Sequence, residues 1–113
     1  LGYWQARYPF PYLPLIQTWA QQHQLNPLLV TALIRQESRF EAQIHSVAGA
    51  VGLMQVMPGT AQYIAEKINV PKYNLENPQD NIQLGTWYMD YTHNRFDNYS
   101  LLAIASYNAG WSN

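Results

Sequence analysis

Apolar side chains recur at helical spacing along most of this chain, and the pattern predicts an all-α fold. Leu15, Ile16 and Trp19 share one face of a short first helix, which we expect to run from Leu13 to about Gln22. No stretch shows the alternation of apolar and polar residues that is typical of a half-buried strand. We therefore expect helices and no sheet.

Two Asn-Pro pairs mark the starts of two further helices. Asn26 provides a capping side chain and Pro27 suits the first helical position, which predicts a helix from there to about Arg39. The same pair at residues 77–78 predicts a long helix that ends near Arg95, because apolar residues follow it at helical spacing.

The stretch between these two helices has a less regular pattern. Residues 40–52 are typical of a loop, and the small residues at 48–52 let the backbone pass close to another group. Helical spacing resumes around Leu53, is interrupted at residues 58–59 and continues to about Ile68. We expect a helix over this last stretch.

Both ends of the chain carry weaker signals. Residues 1–14 contain three prolines among aromatic residues, which favours an extended arm lying across the domain. Ser100 is a candidate cap for a last helix that Gly110 would end. No repeat, low-complexity segment or linker divides the sequence, so we expect residues 1–113 to form one domain.

Composition narrows the class of protein. A chain of 113 residues that is 48% hydrophobic can close one core without disulfides, and it contains no cysteine. Its net charge of −1 and scattered charges leave no basic surface, so we expect no nucleic acid partner. No apolar run approaches the roughly 20 residues that span a bilayer, and no signal pattern is visible, so we expect no stable membrane insertion.

Aromatic residues are the strongest compositional bias, with nine Tyr and four Trp against 12% charged residues. Most of these rings belong in the core, but a minority suits a surface that binds a neutral polar ligand such as a sugar chain. We expect no metal or cofactor, because the histidines lack ligand partners nearby in the sequence and are placed at the surface by default. These histidines are His23, His45 and His93.

One carboxylate interrupts the apolar face of the second predicted helix. Glu37 follows Leu33 and Ile34 by one turn on the same face. Burial there would remove water from the charged form, raise the carboxyl pKa and suit Glu37 to act as a general acid. Alternatively, Glu37 lies near enough to the helix end to reach water or to pair with Arg35 or Arg39. The pattern alone does not separate the two.

Three short segments carry unusual chemistry for a small helical domain, at residues 37–38, 52–55 and 106–110. Each is common alone, but in this order and at this spacing they resemble the catalytic domain of the bacterial soluble lytic transglycosylases. That family is lysozyme-like and cleaves peptidoglycan. The resemblance covers nearly the whole chain, through YPFPY at 8–12, ALIRQES at 32–38, GLMQVMPGTA at 52–61 and NIQLGT at 81–86.

The resemblance implies a goose-type lysozyme-like helical domain with a long sugar cleft, in which Glu37 matches the catalytic acid. It also implies a carbon–oxygen lyase that cleaves the β-1,4 bond between N-acetylmuramic acid and N-acetylglucosamine and leaves 1,6-anhydromuramic acid ends. Because the residues offer no obvious second carboxylate, with Glu41 expected in a loop, we expect Glu37 to make both proton transfers. The partner would be the glycan strands of peptidoglycan, in the periplasm or cell envelope.

Four further positions match substrate-binding sites of the family: Ser46, Gln55, Met57 and Tyr107. A hydroxyl can orient the N-acetyl group, an amide can bind sugar hydroxyls, and a thioether offers an adaptable apolar surface. The residues alone favour a structural role for all four positions. Ser46 would then be a solvated loop residue, Gln55 a buried amide bonded to the backbone, Met57 a core side chain and Tyr107 a packed ring. The resemblance favours substrate contact, most clearly at Gln55 and Tyr107.

The chain departs from the family pattern in two places. Ser106 stands where many members have alanine, and the family domain usually continues with further helices beyond the point where this sequence ends, at Asn113. We therefore expect the C-terminal helices of the domain to be absent from this sequence. Two alternative functions stay open: a muramidase that hydrolyses the same bond and, if the missing helices disable the site, a non-catalytic glycan-binding module. The sequence does not indicate an oligomeric state.

Overall fold

A computed structural model describes residues 12–95 of the chain, with side chains as far as residue 92. This part contains four α-helices, α1 (Leu13–Gln22), α2 (Pro27–Ser38), α3 (Pro58–Lys67) and α4 (Pro78–Arg95). Between the described residues, only isolated antiparallel bridges form, and there is no strand. The all-α prediction is confirmed for this part of the chain. The predicted N-terminal arm, as far as residue 11, and the predicted last helix lie outside the described residues.

The two Asn-Pro start signals are confirmed. The Asn26 side chain accepts a hydrogen bond of 2.9 Å from the backbone N–H of Leu28. At the start of α4, Asn77 Oδ1 accepts one of 3.2 Å from the backbone N–H of Asp80. In both helices a side chain thus satisfies a backbone donor that has no partner within the helix.

Helix α2 ends at Ser38, one residue after Glu37. Ser38 is buried, and its hydroxyl donates to the Ile34 carbonyl at 3.0 Å and accepts from the Phe40 N–H at 3.2 Å. Arg39 then adopts a left-handed conformation with φ of 53°, which ends the helix. Glu37 therefore lies in the last turn of α2, one residue before a buried hydroxyl that holds the turn.

The prediction that helical structure resumes around Leu53 is wrong, because α3 begins at Pro58. The spacing of apolar residues in this segment resembles that of a helix, but Gly52 and Gln55 have φ of 81° and 52°. A right-handed helix requires negative φ, so these two residues turn the chain instead. The apolar side chains of the segment still reach the core.

One hydrophobic cluster joins all four helices to the segment before α3. Helix α1 packs against α2 and α4, and α3 packs against α4. The cluster contains fully or almost fully buried side chains from each of these elements: Ile16, Ala20, Val30, Leu33, Ile34, Val51, Leu53, Met54, Val56, Ala61, Ile64, Ile82, Leu84 and Met89.

Polar side chains reinforce the packing of α1 against α4. The Trp19 indole N–H donates to Gln79 Oε1 at 3.1 Å, and His23 Nδ1 lies 3.1 Å from Asp90 Oδ2. The prediction that His23 lies at the surface is wrong, since its side chain is only 15% exposed. Sequence spacing missed this pair because Asp90 lies 67 residues away along the chain.

Candidate active site

Glu37 ends the buried face of α2. Val30, Leu33 and Ile34 precede it on this face and are buried, while Glu37 itself is half-buried. Loss of hydration on burial raises the pKa of the Glu37 carboxyl above its ordinary value of 4.5. The pKa direction agrees with the expectation for a general acid.

The alternative ion pairs of Glu37 do not occur in the described part of the chain, although the half-buried side chain still reaches water. Its carboxylate makes no hydrogen bond or ion pair with any residue between 12 and 92, and Arg35 and Arg39 are exposed without reaching it. Burial is the cause of the pKa shift, and no charge among the described residues contributes to it. The group is thus an isolated carboxyl at the edge of an apolar surface.

A groove of about 790 Å³ lies on the other side of α2. The residues that line the groove are Leu28, Thr31, Ala32, Arg35, Gln36, Arg39 and Phe40. Since successive residues of a helix are about 100° apart around its axis, the middle of this set lies roughly 180° from Glu37. The groove is therefore separate from the Glu37 carboxyl.

Ser46 begins a tight turn in the loop that follows α2. Its hydroxyl oxygen accepts the backbone N–H of Ala50 at 3.0 Å, and its own N–H donates to the Ala50 carbonyl at 2.9 Å. The side chain is exposed. Since the hydroxyl acts here as an acceptor, its proton remains free to donate to a ligand.

Met57 lies next to the same turn. A Cβ on Gly49, which has φ of 101°, would lie 4.0 Å from the Met57 methyl carbon. Met57 is half-buried against the core and directly precedes α3. Its side chain therefore packs partly on the core, as the structural interpretation expects, and partly along the Ser46 turn.

Gln55 is 5% exposed, and its amide group is bonded to the backbone. The Nε2 group donates to the carbonyls of Gly52 at 2.8 Å and Ile44 at 3.3 Å. Both N–H bonds are used, and no described residue donates to Oε1. The oxygen is thus the atom of Gln55 that is left to accept a hydrogen bond from a ligand.

Residues 51–56, here called the site hairpin, carry Gln55. Val51 and Val56 exchange two backbone hydrogen bonds of 3.0 Å. The hairpin connects to the loop before it, because Gly52 N–H donates to the Ile44 carbonyl at 2.8 Å. Ser46, Gln55 and Met57 therefore belong to one locally folded unit.

The sequence analysis missed Asn81, which holds this hairpin from α4. Asn81 is 1% exposed and makes three side-chain hydrogen bonds to backbone groups. A signal was present, since Asn81 precedes Gly85 and Met89 at one-turn intervals on the buried face of its helix. A polar residue on a buried helical face is the same signal that identified Glu37.

The remaining predicted positions, apart from His45, lie outside the residues whose side chains are described. Tyr107 lies outside the described residues, as do residue 106 and the side chain of His93. His45 is exposed, and its Nε2 lies 2.7 Å from Glu76 Oε2.

No group of three or more His, Asp, Glu or Cys side chains with metal-binding geometry occurs among residues with described side chains. None of the described helices combines the length and hydrophobicity needed to cross a bilayer.

Comparison with known protein families gives one match over most of the chain. The model of the family described as Transglycosylase SLT domain matches residues 14–113. A soluble lytic murein transglycosylase from Salmonella typhimurium is 36% identical over 110 residues, which are 94% of this chain and 17% of that protein. The chain thus spans about a sixth of the length of this relative.

Solved structures of similar sequence have the same fold. The 70-kDa soluble lytic transglycosylase of Escherichia coli is 35% identical, with a TM-score of 0.84 over 93% of this chain and 18% of that one. The lytic transglycosylase Slt of Pseudomonas aeruginosa, solved as an inactive Glu-to-Gln mutant, is 35% identical. Its TM-score is 0.85 over 96% of this chain and 18% of that one.

Proposed function

The chain belongs to the Transglycosylase SLT domain family, and from this premise we propose that it is a catalytic domain that cleaves peptidoglycan as a lytic transglycosylase. Glu37 is the general acid and then the general base. The observation that carries the proposal is the place of Glu37 at the end of a buried helix face, where burial raises its pKa. A carboxyl that keeps its proton to higher pH is suited to protonate a leaving oxygen.

The first step breaks the β-1,4 bond between N-acetylmuramic acid and N-acetylglucosamine. Glu37 donates its proton to the linkage oxygen, and the bond from this oxygen to C1 of the muramic acid breaks. The departing N-acetylglucosamine keeps the proton as a hydroxyl. Positive charge at C1 is taken up by the carbonyl oxygen of the substrate's own N-acetyl group, which forms a bond to C1.

The second step returns the proton to Glu37. Its carboxylate removes the proton from the 6-hydroxyl of the same N-acetylmuramic acid, and O6 attacks C1. The bond from C1 to the acetyl oxygen breaks, and a 1,6-anhydro ring closes. No water is consumed, and Glu37 ends in the protonated form in which it began.

A single carboxylate is sufficient for this sequence of steps, and the surroundings of Glu37 favour it. In glycosidases with two carboxylates, the pair lies within about 5–9.5 Å. The pKa of Glu37 is raised by burial, without a contribution from a neighbouring carboxylate among the described residues. Glu41, four residues further on, is exposed.

Sugar contacts come from the unit that contains the site hairpin. The free hydroxyl proton of Ser46 suits the N-acetyl carbonyl, and Oε1 of Gln55 suits a sugar hydroxyl. The partly exposed thioether of Met57 suits the apolar face of a sugar ring. Tyr107 completes the proposed set as a hydroxyl that holds the acid in position.

Replacement of Glu37 tests the proposal. Glu37→Gln keeps the shape but neither donates nor accepts the reacting proton, so release of fragments from purified peptidoglycan should fall at least about 100-fold. Glu41→Gln is the matched control, since it makes the same change at an exposed position, and it should retain full activity. Activity that survives in Glu37→Gln would remove Glu37 from the mechanism.

Mass spectrometry of the products tests the type of reaction. A lytic transglycosylase releases muropeptides with anhydro ends, which are lighter by one water than those released by a muramidase. Reducing ends alone would replace the proposal by hydrolysis of the same bond. If the unmodified protein binds glycan strands but releases no product, the result would support the alternative of a non-catalytic glycan-binding module.

We also propose that the protein works in the periplasm or cell envelope, on glycan strands of peptidoglycan. The support is the resemblance to proteins named murein transglycosylases. Fractionation of cells that express the natural protein, followed by immunoblotting, tests the location. Detection in the cytoplasmic fraction alone would contradict it.

A further inference from the structure

We propose that Asn81 is a positioning residue for the substrate: it fixes the site hairpin so that Gln55 presents its free oxygen to the glycan. This inference rests on the proposed function, because it assigns a role in glycan binding to a residue that does not itself touch the sugar. Three observations carry it: the hydrogen bonds of Asn81, the close approach of Gly52, and the bonds that connect Gln55 to the same backbone.

The Asn81 side chain binds both sides of the turn in the site hairpin. Its Oδ1 accepts the backbone N–H of Met54 at 2.7 Å, and its Nδ2 donates to the Val51 carbonyl at 2.8 Å. Nδ2 also donates to the Leu75 carbonyl at 2.8 Å, in the loop before α4. One buried amide thus joins the hairpin, the loop and the helix.

Gly52 allows this arrangement because it has no side chain. A Cβ at this position would overlap the Asn81 amide nitrogen and the Leu75 carbonyl oxygen. Its φ of 81° is also a conformation that favours glycine. The Asn81 amide and the Gly52 backbone therefore lie in direct contact, with no room for a side chain between them.

The same backbone holds Gln55. The Gly52 carbonyl accepts Gln55 Nε2 at 2.8 Å, so the amide of Gln55 is anchored one residue from the Val51 carbonyl that Asn81 binds. Since both N–H bonds of Gln55 are used in this way, the direction of its Oε1 depends on the position of Gly52. Asn81 thus sets the direction of a sugar-binding oxygen through two backbone groups.

A comparison within α4 separates positioning from ordinary stabilisation. Thr86 is also buried, but its hydroxyl donates to the Ile82 carbonyl at 2.7 Å and the Gln83 carbonyl at 3.1 Å, both in its own helix. Loss of that hydroxyl affects stability without touching the site hairpin. Thr86→Val is therefore the matched control for Asn81→Asp, since both changes preserve side-chain shape.

The test measures affinity for N-acetylglucosamine oligomers, a soluble probe of the glycan, with each variant placed in the non-cleaving Glu37→Gln protein. Asn81→Asp keeps the oxygen that accepts the Met54 N–H, but it replaces the amide N–H₂ by an oxygen that cannot donate to the Val51 and Leu75 carbonyls. Its Kd should rise at least about fivefold, the factor that corresponds to roughly one lost hydrogen bond. Thr86→Val should change Kd less than about twofold while lowering the unfolding temperature.

Methyl NMR provides a measurement that does not need the Asn81 variant to fold. The chain has three methionines: Met54 in the site hairpin, Met57 directly after it, and Met89 in α4. Addition of the oligomer to the Glu37→Gln protein should shift the Met54 and Met57 methyl signals and the Asn81 side-chain amide signals. The Met89 methyl signal should not move.

The outcomes distinguish this inference from the proposed function. Equal losses of affinity in Asn81→Asp and Thr86→Val would overturn the positioning role. An Asn81 side-chain amide signal whose chemical shift does not change when the oligomer binds would also overturn it. Either result leaves the cleavage of peptidoglycan untouched. Conversely, absence of anhydro products from the unmodified protein would refute the proposed function, while the affinity measurements could still show that Asn81 positions the hairpin for glycan binding.

Discussion

Burial raises the pKa of Glu37, and this burial has a cost for the folded protein. The charged carboxylate loses water at the edge of an apolar face and gains no hydrogen bond or ion pair in return from the described residues. A partner such as arginine would lower the pKa and stabilise the charged form. The proposed acid is therefore a site where reactivity and stability oppose each other.

Glu37→Gln should stabilise the protein at neutral pH and have little effect in acid. A group whose pKa is raised by folding contributes most favourably below its unfolded value, near 4.5, and this contribution is lost as pH rises through the folded pKa. The neutral amide does not incur this loss. Urea unfolding at pH 4 and pH 7 checks the prediction, with Glu41→Gln as the exposed control. A gain of equal size at both pH values would point to packing instead of charge.

The role of a residue can be predicted from the sequence where that role follows from the local spacing of apolar side chains. Glu37 was identified because it breaks an apolar pattern within its own helix. The bonds of Asn81 were not, since Val51 and Met54 lie 30 and 27 residues away along the chain. The bonded amide of Gln55 is one of the two interpretations that the sequence allows, but only the backbone conformation decides that its N–H groups bond to carbonyls while no described residue donates to its oxygen.

At the scale of elements, the helices with local start signals were predicted closely. Asn26 and Asn77 act through hydrogen bonds to residues two and three positions away, so the sequence contains the whole signal. The part of the site hairpin from Leu53 onward is wrongly predicted to be helical, because the spacing of apolar residues does not reveal a positive φ at a non-glycine residue. Gln55 adopts that conformation in a turn where both its backbone N–H and its side-chain amide donate to the Gly52 carbonyl.

Two glycines in helices test how closely the elements approach each other. Gly85 in α4 lies against the site hairpin, where an added Cβ would overlap the Met54 side chain, whereas Gly59 in α3 has open space around its Cα. Alanine favours a helix by roughly 0.5–1 kcal/mol over glycine. Gly59→Ala should therefore stabilise the protein by up to that amount, while Gly85→Ala should destabilise it by about 1–3 kcal/mol.

Chemical unfolding in urea measures both glycine variants under the same conditions. The pair is matched because neither glycine has a positive φ, so backbone strain does not contribute to the difference. Stabilisation by Gly85→Ala would contradict the close contact between α4 and the Met54 side chain.

For the whole molecule, the described helices share the lysozyme-like fold of the solved lytic transglycosylases. Their packing places the end of the apolar face of α2 and the site hairpin in one hydrophobic cluster, to which Val30, Leu33, Val51 and Val56 all belong. The proposed acid and the proposed sugar contacts are thus supported by a common core. A change in that core should alter stability and the proposed site together.

Two leucines in α2 test this view of the molecule, because they differ in surroundings and not in chemistry. Leu33 is 2% exposed in the core, whereas Leu28 is 70% exposed beside the groove opposite Glu37. Leu33→Ala should lower the free energy of unfolding by about 2–5 kcal/mol. Leu28→Ala should change it by no more than about 0.5 kcal/mol. Urea unfolding measures both. Equal costs would show that Leu28 is covered in solution, and the groove beside it would then belong to the interior of the protein.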